Sequence, residues 1–389
     1  MTHDGQPGDG TARTSQPAPP GQGQDRRARA RDLGLAPGTL PPGPVNAITD
    51  VPGIRVGQVT LVEGAGIRTG VTAIVHDTLL GRGPGGDRTL PAGLAVFNGF
   101  GKMTGSTQIA ELGTIETPVL LTATLSVFRV ADALLSYLHG LPGYSGAGTL
   151  NPVVAETNDS YLSDIWARPV TEAHVAQALD TAAGGPVAEG CVGAGTGTSA
   201  LGFKAGIGTA SRIVGWAAGP VTLGVLVQAN FGRELTVLGM PVPRPPDQAA
   251  GAGESPGQAP PEEGPGPGSC VIVLATDAAL DSRQLERLAN RAFAGMARTG
   301  SDFSGRSGDY ALAVSTAAGA AAGARDGHVP EKDLDLIFQA AIEATEEAIL
   351  NSLFMAVTTT GYQGHVKHAV PLDYVSELVR NRSARRNGW

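Results

Sequence analysis

Gly264-Pro-Gly-Pro-Gly268 runs straight into Ser269-Cys-Val-Ile-Val-Leu-Ala-Thr-Asp277, so a chain that cannot pack becomes a β-forming one across a single peptide bond. If the chain cuts itself between Gly268 and Ser269, one residue gains a hydroxyl nucleophile and a free amine to act as its base. A mid-chain hydroxyl is a weak nucleophile without an adjacent base. An N-terminal amine has an unperturbed pKa of about 7.7–8.0, so part of it is already unprotonated near neutral pH. Taken alone, the junction also describes an ordinary boundary between a linker and a strand, and these residues leave both readings open.

Upstream of the junction, residues 243–267 form a low-complexity stretch rich in Pro and Gly, which predicts a flexible linker. Residues 1–44 are rich in Gly, Pro, Gln and Arg without apolar periodicity and predict a disordered tail, with the Arg26–Arg31 cluster solvated within it. Between and after these stretches, residues 45–389 predict one catalytic domain. Strand-like runs fall at 54–62, 70–75, 93–97, 118–124, 213–217 and 221–229. An amphipathic helix carries Val127, Val130, Ala131, Leu134, Leu135 and Leu138 on one face, and Thr171 is a good N-cap for a second. After the junction come strand 270–276, a helix over 282–298, strand 310–316 and a long helix over 331–354. In the first of these helices Asp281 and Gln284 have capping-box spacing, and Leu285, Leu288, Ala292, Phe293 and Met296 make the buried stripe. Strand groups mixed with helix pairs predict an α+β fold with a sheet-on-sheet core flanked by helices.

Composition narrows the function. The 389 residues are 41% hydrophobic, and subtracting the two low-complexity stretches leaves roughly 320 for the folded part, enough for one layered domain. The 56 glycines exceed average usage and many border strand-like runs, which suggests tight turns and close backbone approaches. A net charge of −8 without a basic stripe argues against nucleic acid as a partner. Two cysteines, Cys191 and Cys270, give no disulfide framework, and no run approaches the ~18 apolar residues of a membrane span. With no signal-peptide pattern either, a cytoplasmic location is expected.

The segments that could carry chemistry each admit a plainer reading. The glycine run 190–202 suggests a phosphate loop, but no helix follows to receive a phosphate, so no cofactor is expected. His365 and His368 lack a third ligand nearby, and no metal is expected. Ser307 and Asp309 lie two apart ahead of a strand, so they project the same way and could orient an amine, or form an Asx-type turn. Asn230 ends an apolar strand, where its amide could donate to an oxyanion or simply make a turn. The loop-like stretch from Glu156 to Asp164, holding Asn158 and Tyr161, could present a carboxylate to a substrate ammonium or be a solvated loop.

Several ordered blocks change these odds together. Asn46-Ala-Ile-Thr-Asp-Val-Pro-Gly, Phe97-Asn-Gly-Phe-Gly-Lys-Met-Thr-Gly-Ser, Asn151-Pro-Val-Val-Ala-Glu-Thr, Gly193-Ala-Gly-Thr-Gly, Val227-Gln-Ala-Asn-Phe-Gly, Gly268-Ser and Ser307-Gly-Asp-Tyr occur in that order. So ordered, the chain resembles the DmpA-type aminopeptidases, which include L-aminopeptidase/D-amidase-esterases and β-aminopeptidases. The resemblance implies an αββα four-layer sandwich similar to N-terminal-nucleophile hydrolases but with different connectivity. It implies self-cleavage into an α chain of residues 1–268 and a β chain of 269–389. By position it makes Ser269 the nucleophile, Ser307 and Asp309 its supporting relay, Asn230 the oxyanion amide and Glu156 the acceptor for a substrate ammonium. Many relatives have Glu where Asp309 stands, and the family's tyrosine near the oxyanion falls at Asn158, which passes that role to Asn158 or Tyr161 or loses it. The linker is also longer and richer in proline than in relatives.

The expected activity is therefore hydrolysis of N-terminal residues from short peptides, amino-acid amides or esters through an acyl-enzyme on Ser269, by a homo-oligomer of αβ units. The alternatives are an acyltransferase of the ornithine acetyltransferase type, which typically uses threonine, and a non-catalytic member of the family.

Overall fold

The computed structural model describes residues 27–216, 219–244, 268–317 and 329–386. Ser269 opens a strand in which Cys270, Ile272 and Leu274 enter one apolar cluster while Val271, Val273 and Ala275 enter another. Because side chains alternate along a strand, two apolar faces mean a strand covered on both sides.

In chain order the strands are β1 (Arg55–Glu63), β2 (Ile67–Val75), β3 (Leu90–Gly99), β4 (Thr114–Ile115), β5 (Val119–Ala123) and β6 (Val153–Thr157). A hairpin of β7 (Ser199–Ala200) and β8 (Phe203–Lys204) precedes β9 (Ile207–Val214) and β10 (Val221–Asn230). The hairpin β11 (Leu235–Val237) and β12 (Met240–Val242) follows, then β13 (Ser269–Thr276), β14 (Gly308–Ser315) and a last hairpin of β15 (Thr359–Thr360) and β16 (Val366–Lys367). The helices are α1 (Ser106–Leu112), α2 (Val127–His139), α3 (Glu172–Asp180), α4 (Ser282–Arg298), α5 (Asp335–Phe354) and α6 (Leu372–Arg386).

Four strands form a sheet in the order β1-β2-β5-β6, and six form a second in the order β4-β3-β14-β13-β10-β9. Val119, Leu121 and Val153 of the smaller sheet meet Leu226, Val273 and Leu312 of the larger one. The outer face of the larger sheet, with Ile272, Leu274 and Ala311, packs on Leu285 and Leu288 of α4 and on Ala344 and Leu353 of α5. On the other side, Val71, Leu120 and Val154 pack on Val130 and Leu134 of α2 and Val175 and Leu179 of α3. The layers therefore run helix, sheet, sheet, helix, as the resemblance implied. Each fully buried Leu or Val contributes about 1.5–3 kcal/mol to holding them together.

Local signals are realised in α4. Gln284 N–H donates to Asp281 Oδ1 at 2.7 Å, Asp281 N–H donates back to Gln284 Oε1 at 3.2 Å, and the expected apolar stripe is buried. Four expectations need correction. The disordered tail was placed at 1–44, yet residues 27–44 are packed onto the domain; residues 1–26 lie outside the described residues. Arginines 27, 29 and 31 are not solvated. Arg27 donates to the carbonyls of Phe354 and Val370, Arg29 pairs with Glu189 at 2.7 Å and Arg31 with Glu347 at 2.9 Å. Apolar periodicity cannot reveal a segment whose anchors are charged. The strand expected at 213–217 begins six residues earlier, at Ile207. Glycine there reads as loop, but a Cβ on Gly208 would stand 1.9 Å from the Ala348 carbonyl oxygen, so the residue marks close packing of α5 on the sheet. Finally, Glu156 lies in the buried edge strand β6 and not in a loop. Of the linker expected at 243–267, residues 245–267 lie outside the described residues.

Candidate active site

Strand ends converge at one end of the sandwich. Ser269 pairs with Asn230 at the end of β10 and with Gly308 at the start of β14, while Asp309 pairs with Asn98 near the end of β3. By the two-residue period, Ser269 shares the inter-sheet face with Val271 and Val273. The Gly268 carbonyl accepts a hydrogen bond from Gly308 N–H at 3.1 Å. A Cβ on Gly268 would lie 2.7 Å from Phe231 Cα and 3.0 Å from the Asn230 carbonyl oxygen, so only glycine fits there.

Beside Ser269 runs a short relay. Ser307 Oγ donates to Asp309 Oδ1 at 2.7 Å, and Asn98 Nδ2 donates to Asp309 Oδ2 at 2.8 Å. A hydroxyl that gives its proton to a carboxylate keeps its lone pairs to accept an N–H. Burial raises the Asp309 pKa, and the Ser307 hydroxyl, the Asn98 amide and the Cys270 N–H pull it back toward the charged form. The pairing of β14 with β3 slips between Asp309 and Tyr310, an irregularity that re-aims side chains at a strand end.

Asn230 is clamped on both sides of its amide. Its Oδ1 accepts Ser199 N–H at 3.0 Å, and its Nδ2 donates to the Asn158 carbonyl at 2.9 Å. This fixes which end of the amide is the donor and leaves its second N–H to meet a further acceptor. The glycine run 190–202 finds its use here. It carries the chain that presents Ser199, with Gly195 pressed against Gly206 and Gly197 against the Arg68 carbonyl.

Glu156, 2% exposed, accepts Lys102 N–H on Oε1 at 3.0 Å, with Lys102 Nζ 3.7 Å away. Lys102 Nζ itself donates to Thr124 Oγ1 at 2.8 Å. Glu156 Oε2 is buried without a hydrogen-bond partner among the described residues. Burial lifts the Glu156 pKa, opposed chiefly by the Lys102 charge. A buried carboxylate oxygen left open is satisfied best by a cation bearing N–H groups. Gly101 makes room beside it: a Cβ there would lie 2.9 Å from the Tyr310 ring and 3.3 Å from Glu156 Oε1.

The structure thus gathers Ser269, Gly268, Ser307, Asp309, Asn230 and the Asn158 backbone. Glu156 joins them through Gly101, whose added Cβ would also stand 3.1 Å from Gly308 Cα. The Asn158 side chain is engaged in its own turn, accepting Ser160 N–H on Oδ1 at 3.0 Å. The Tyr161 ring is stacked on His365 at 4.5 Å and lies under Lys367 Nζ at 4.6 Å. Asn98, Lys102 and Ser199 were missed as site residues. The first two sit in the block 97–106 that carried the resemblance, where polar residues beside glycines at a strand end were the available signal.

The sequence profile of peptidase family S58 matches residues 46–367. The chain belongs to peptidase family S58. It is 43% identical over 368 residues to the beta-peptidyl aminopeptidase BapA of Sphingosinicella microcystinivorans, covering 88% of this chain and 89% of that protein. Among solved structures it resembles a Burkholderia sp. beta-aminopeptidase, with a TM-score of 0.77, 38% identity and coverage of 93% of this chain and 99% of that one. The L-aminopeptidase D-Ala-esterase/amidase of Ochrobactrum anthropi gives a TM-score of 0.77 and 36% identity, covering 91% and 99%. That structure is described as a prototype for the serine aminopeptidases and a new variant among the N-terminal-nucleophile hydrolase fold. Membership of S58 makes the present chain a peptide hydrolase, and its α+β layers are those of that fold.

Proposed function

We propose that this aminopeptidase cuts its own Gly268–Ser269 bond and then uses Ser269 as both nucleophile and base. One observation carries the reading: Ser269 opens β13 between Asn230 on one flank and Gly308, next to the Ser307–Asp309 relay, on the other. For maturation, Ser269 Oγ attacks the Gly268 carbonyl, whose oxygen already takes the Gly308 N–H. The peptide C–N bond breaks, and water releases the resulting ester to leave a Gly268 carboxylate and a Ser269 amine.

In turnover, that amine takes the Ser269 hydroxyl proton as Oγ attacks the carbonyl of the substrate's first residue. Asn230 holds the oxyanion, Ser307 accepts an N–H of the amine, and Glu156 receives the substrate ammonium, restricting the enzyme to free N-termini. The proton passes to the leaving amine, and water then hydrolyses the acyl-enzyme. Substrates are short peptides, amino-acid amides and esters. The named relatives support β-amino acids among the first residues accepted.

Assembly into several αβ units belongs to the same reading and is supported by Val96, Phe97 and Phe100, apolar side chains at least half exposed near the end of β3. A cytoplasmic location is supported by two free cysteines. Among the described residues, no helix is long and apolar enough to cross a membrane. The decisive variant is Ser269→Ala, which is expected to migrate as one band without hydrolysing aminoacyl p-nitroanilides, where wild type gives two bands and activity. A Ser269→Ala protein that is still cleaved and active contradicts the assignment.

A further inference from the structure

Beside Gly268 lies a cleft of about 300 Å³ that the steps above leave unused. Asn230, Phe231 and Gly268 are among its lining residues, so it adjoins the residue before Ser269 and the proposed oxyanion amide. Its outer wall is cationic, with Arg233, Arg244 and Lys367. Arg233 is ion-paired with Asp302, which also lines the cleft. Neither Arg244 nor Lys367 has an acidic partner among the described residues. Arg244 rests on Gly202, where a Cβ would come within 2.2 Å of its Nε. Lys367 Nζ is held over the Tyr161 ring, and its pKa is lowered to about 8 by burial and then by the nearby charge of Arg244. Two neighbouring cations that repel each other in a half-enclosed cleft form a site for an anion.

With the substrate ammonium at Glu156, which does not line the cleft, the part of the substrate beyond the scissile bond has the cleft beside Gly268 to enter. We propose that this cleft is the leaving-group subsite and that Arg244 and Lys367 bind the free C-terminal carboxylate of dipeptides and other very short peptides. This rests on the Ser269 reading and adds a substrate class to it: zwitterionic short peptides, gripped at the ammonium by Glu156 and at the carboxylate by the two cations. The carboxylate that self-cleavage leaves on Gly268 is the other anion within reach, and its occupancy would erase any preference for acids.

The test compares β-alanyl-alanine with β-alanyl-alaninamide, and the same pair beginning with alanine, on mature wild type, Arg244→Gln, Lys367→Met and the double variant. Wild type is expected to favour the acid over the amide in kcat/KM by roughly tenfold or more, the ratio falling toward one in the double variant. In wild type alone, free alanine should inhibit at about a tenth or less of the concentration needed for alaninamide, which keeps the test open if a variant fails to fold. An acid-to-amide ratio near one in wild type, or one that survives the double substitution, overturns the proposal. Failure of the Ser269 reading would show separately, as hydrolysis by Ser269→Ala, whatever the ratio.

Discussion

At the residue scale the chemistry depends on groups whose orientation is fixed before substrate arrives. Ser199 N–H and the Asn158 carbonyl lock the Asn230 amide, so in its proposed oxyanion role it needs no reorganisation during reaction. Asn230→Ala should lower kcat about 10²–10³-fold, equivalent to about 2.7–4 kcal/mol, with the two-chain pattern as a check on maturation. Glu156→Gln removes the charge proposed to meet the substrate ammonium, so KM for aminoacyl p-nitroanilides should rise while Asn230→Ala acts mainly on kcat. The proposed base is the Ser269 amine, of unperturbed pKa about 7.7–8.0, and in the same reading the substrate keeps its own ammonium. The kcat/KM profile should therefore be bell-shaped, rising as the Ser269 amine loses its proton and falling as the substrate does. A flat profile from pH 6 to 9 would exclude that base. A further residue acts on stability. Burial pushes the Asp159 carboxyl up to about 7, with the Thr69 hydroxyl opposing it. The unfolded carboxyl titrates near 3.9, so between roughly pH 4 and pH 7 the native state holds the extra proton and this residue's contribution to stability falls as pH rises. Asp159→Asn should flatten the pH dependence of Tm over that window and gain on wild type at pH 8.

At the element scale, the contact between β9 and α5 is more than apolar packing. Arg212 on β9 is fully buried and pairs with Glu343 at 3.3 Å and Glu347 at 2.8 Å on α5. Glu347 also holds Arg31 and Asn46, and Glu343 accepts the backbone N–H groups of Thr39 and Leu40, so the 27–46 segment is fastened to α5 by the same carboxylates. Removing Glu347 leaves the buried Arg212 with Glu343 as its remaining acidic partner and takes away the anchor of Arg31. Glu347→Ala should cost about 3–5 kcal/mol in urea unfolding, and a loss under about 1 kcal/mol would show that the network is solvated. Here the sequence was least legible. Acids on a helix and arginines in a glycine-rich tail look like solvated charge until the fold brings them together, since ion pairs 300 residues apart leave no periodic trace. Where the signal was local it held: the capping box of α4, its five-residue stripe and the junction into β13 depend on neighbours a few positions away. Glu156 fell between these cases. Its strand is five residues long and ends in polar ones, so its alternation was too brief to separate from a loop.

At the scale of the whole molecule, the two sheets bring to one end residues from β3, β6, β10, β13 and β14, on both sides of the Gly268–Ser269 bond. The Gly268–Ser269 peptide bond and the groups proposed to break it are thus already assembled in the uncut chain, with the Gly268 carbonyl on the Gly308 N–H. Composition and spacing exposed the junction but not this assembly. Ser307, Asp309 and Asn230 became site residues only through the ordered blocks shared with a family, because each alone also describes a turn. The most direct measurement is the intact mass of freshly purified, active protein together with N-terminal sequencing of its smaller fragment. Two chains are expected, the smaller beginning at Ser269. Full activity in material showing only the uncut mass, or a small chain beginning at Cys270, would contradict it.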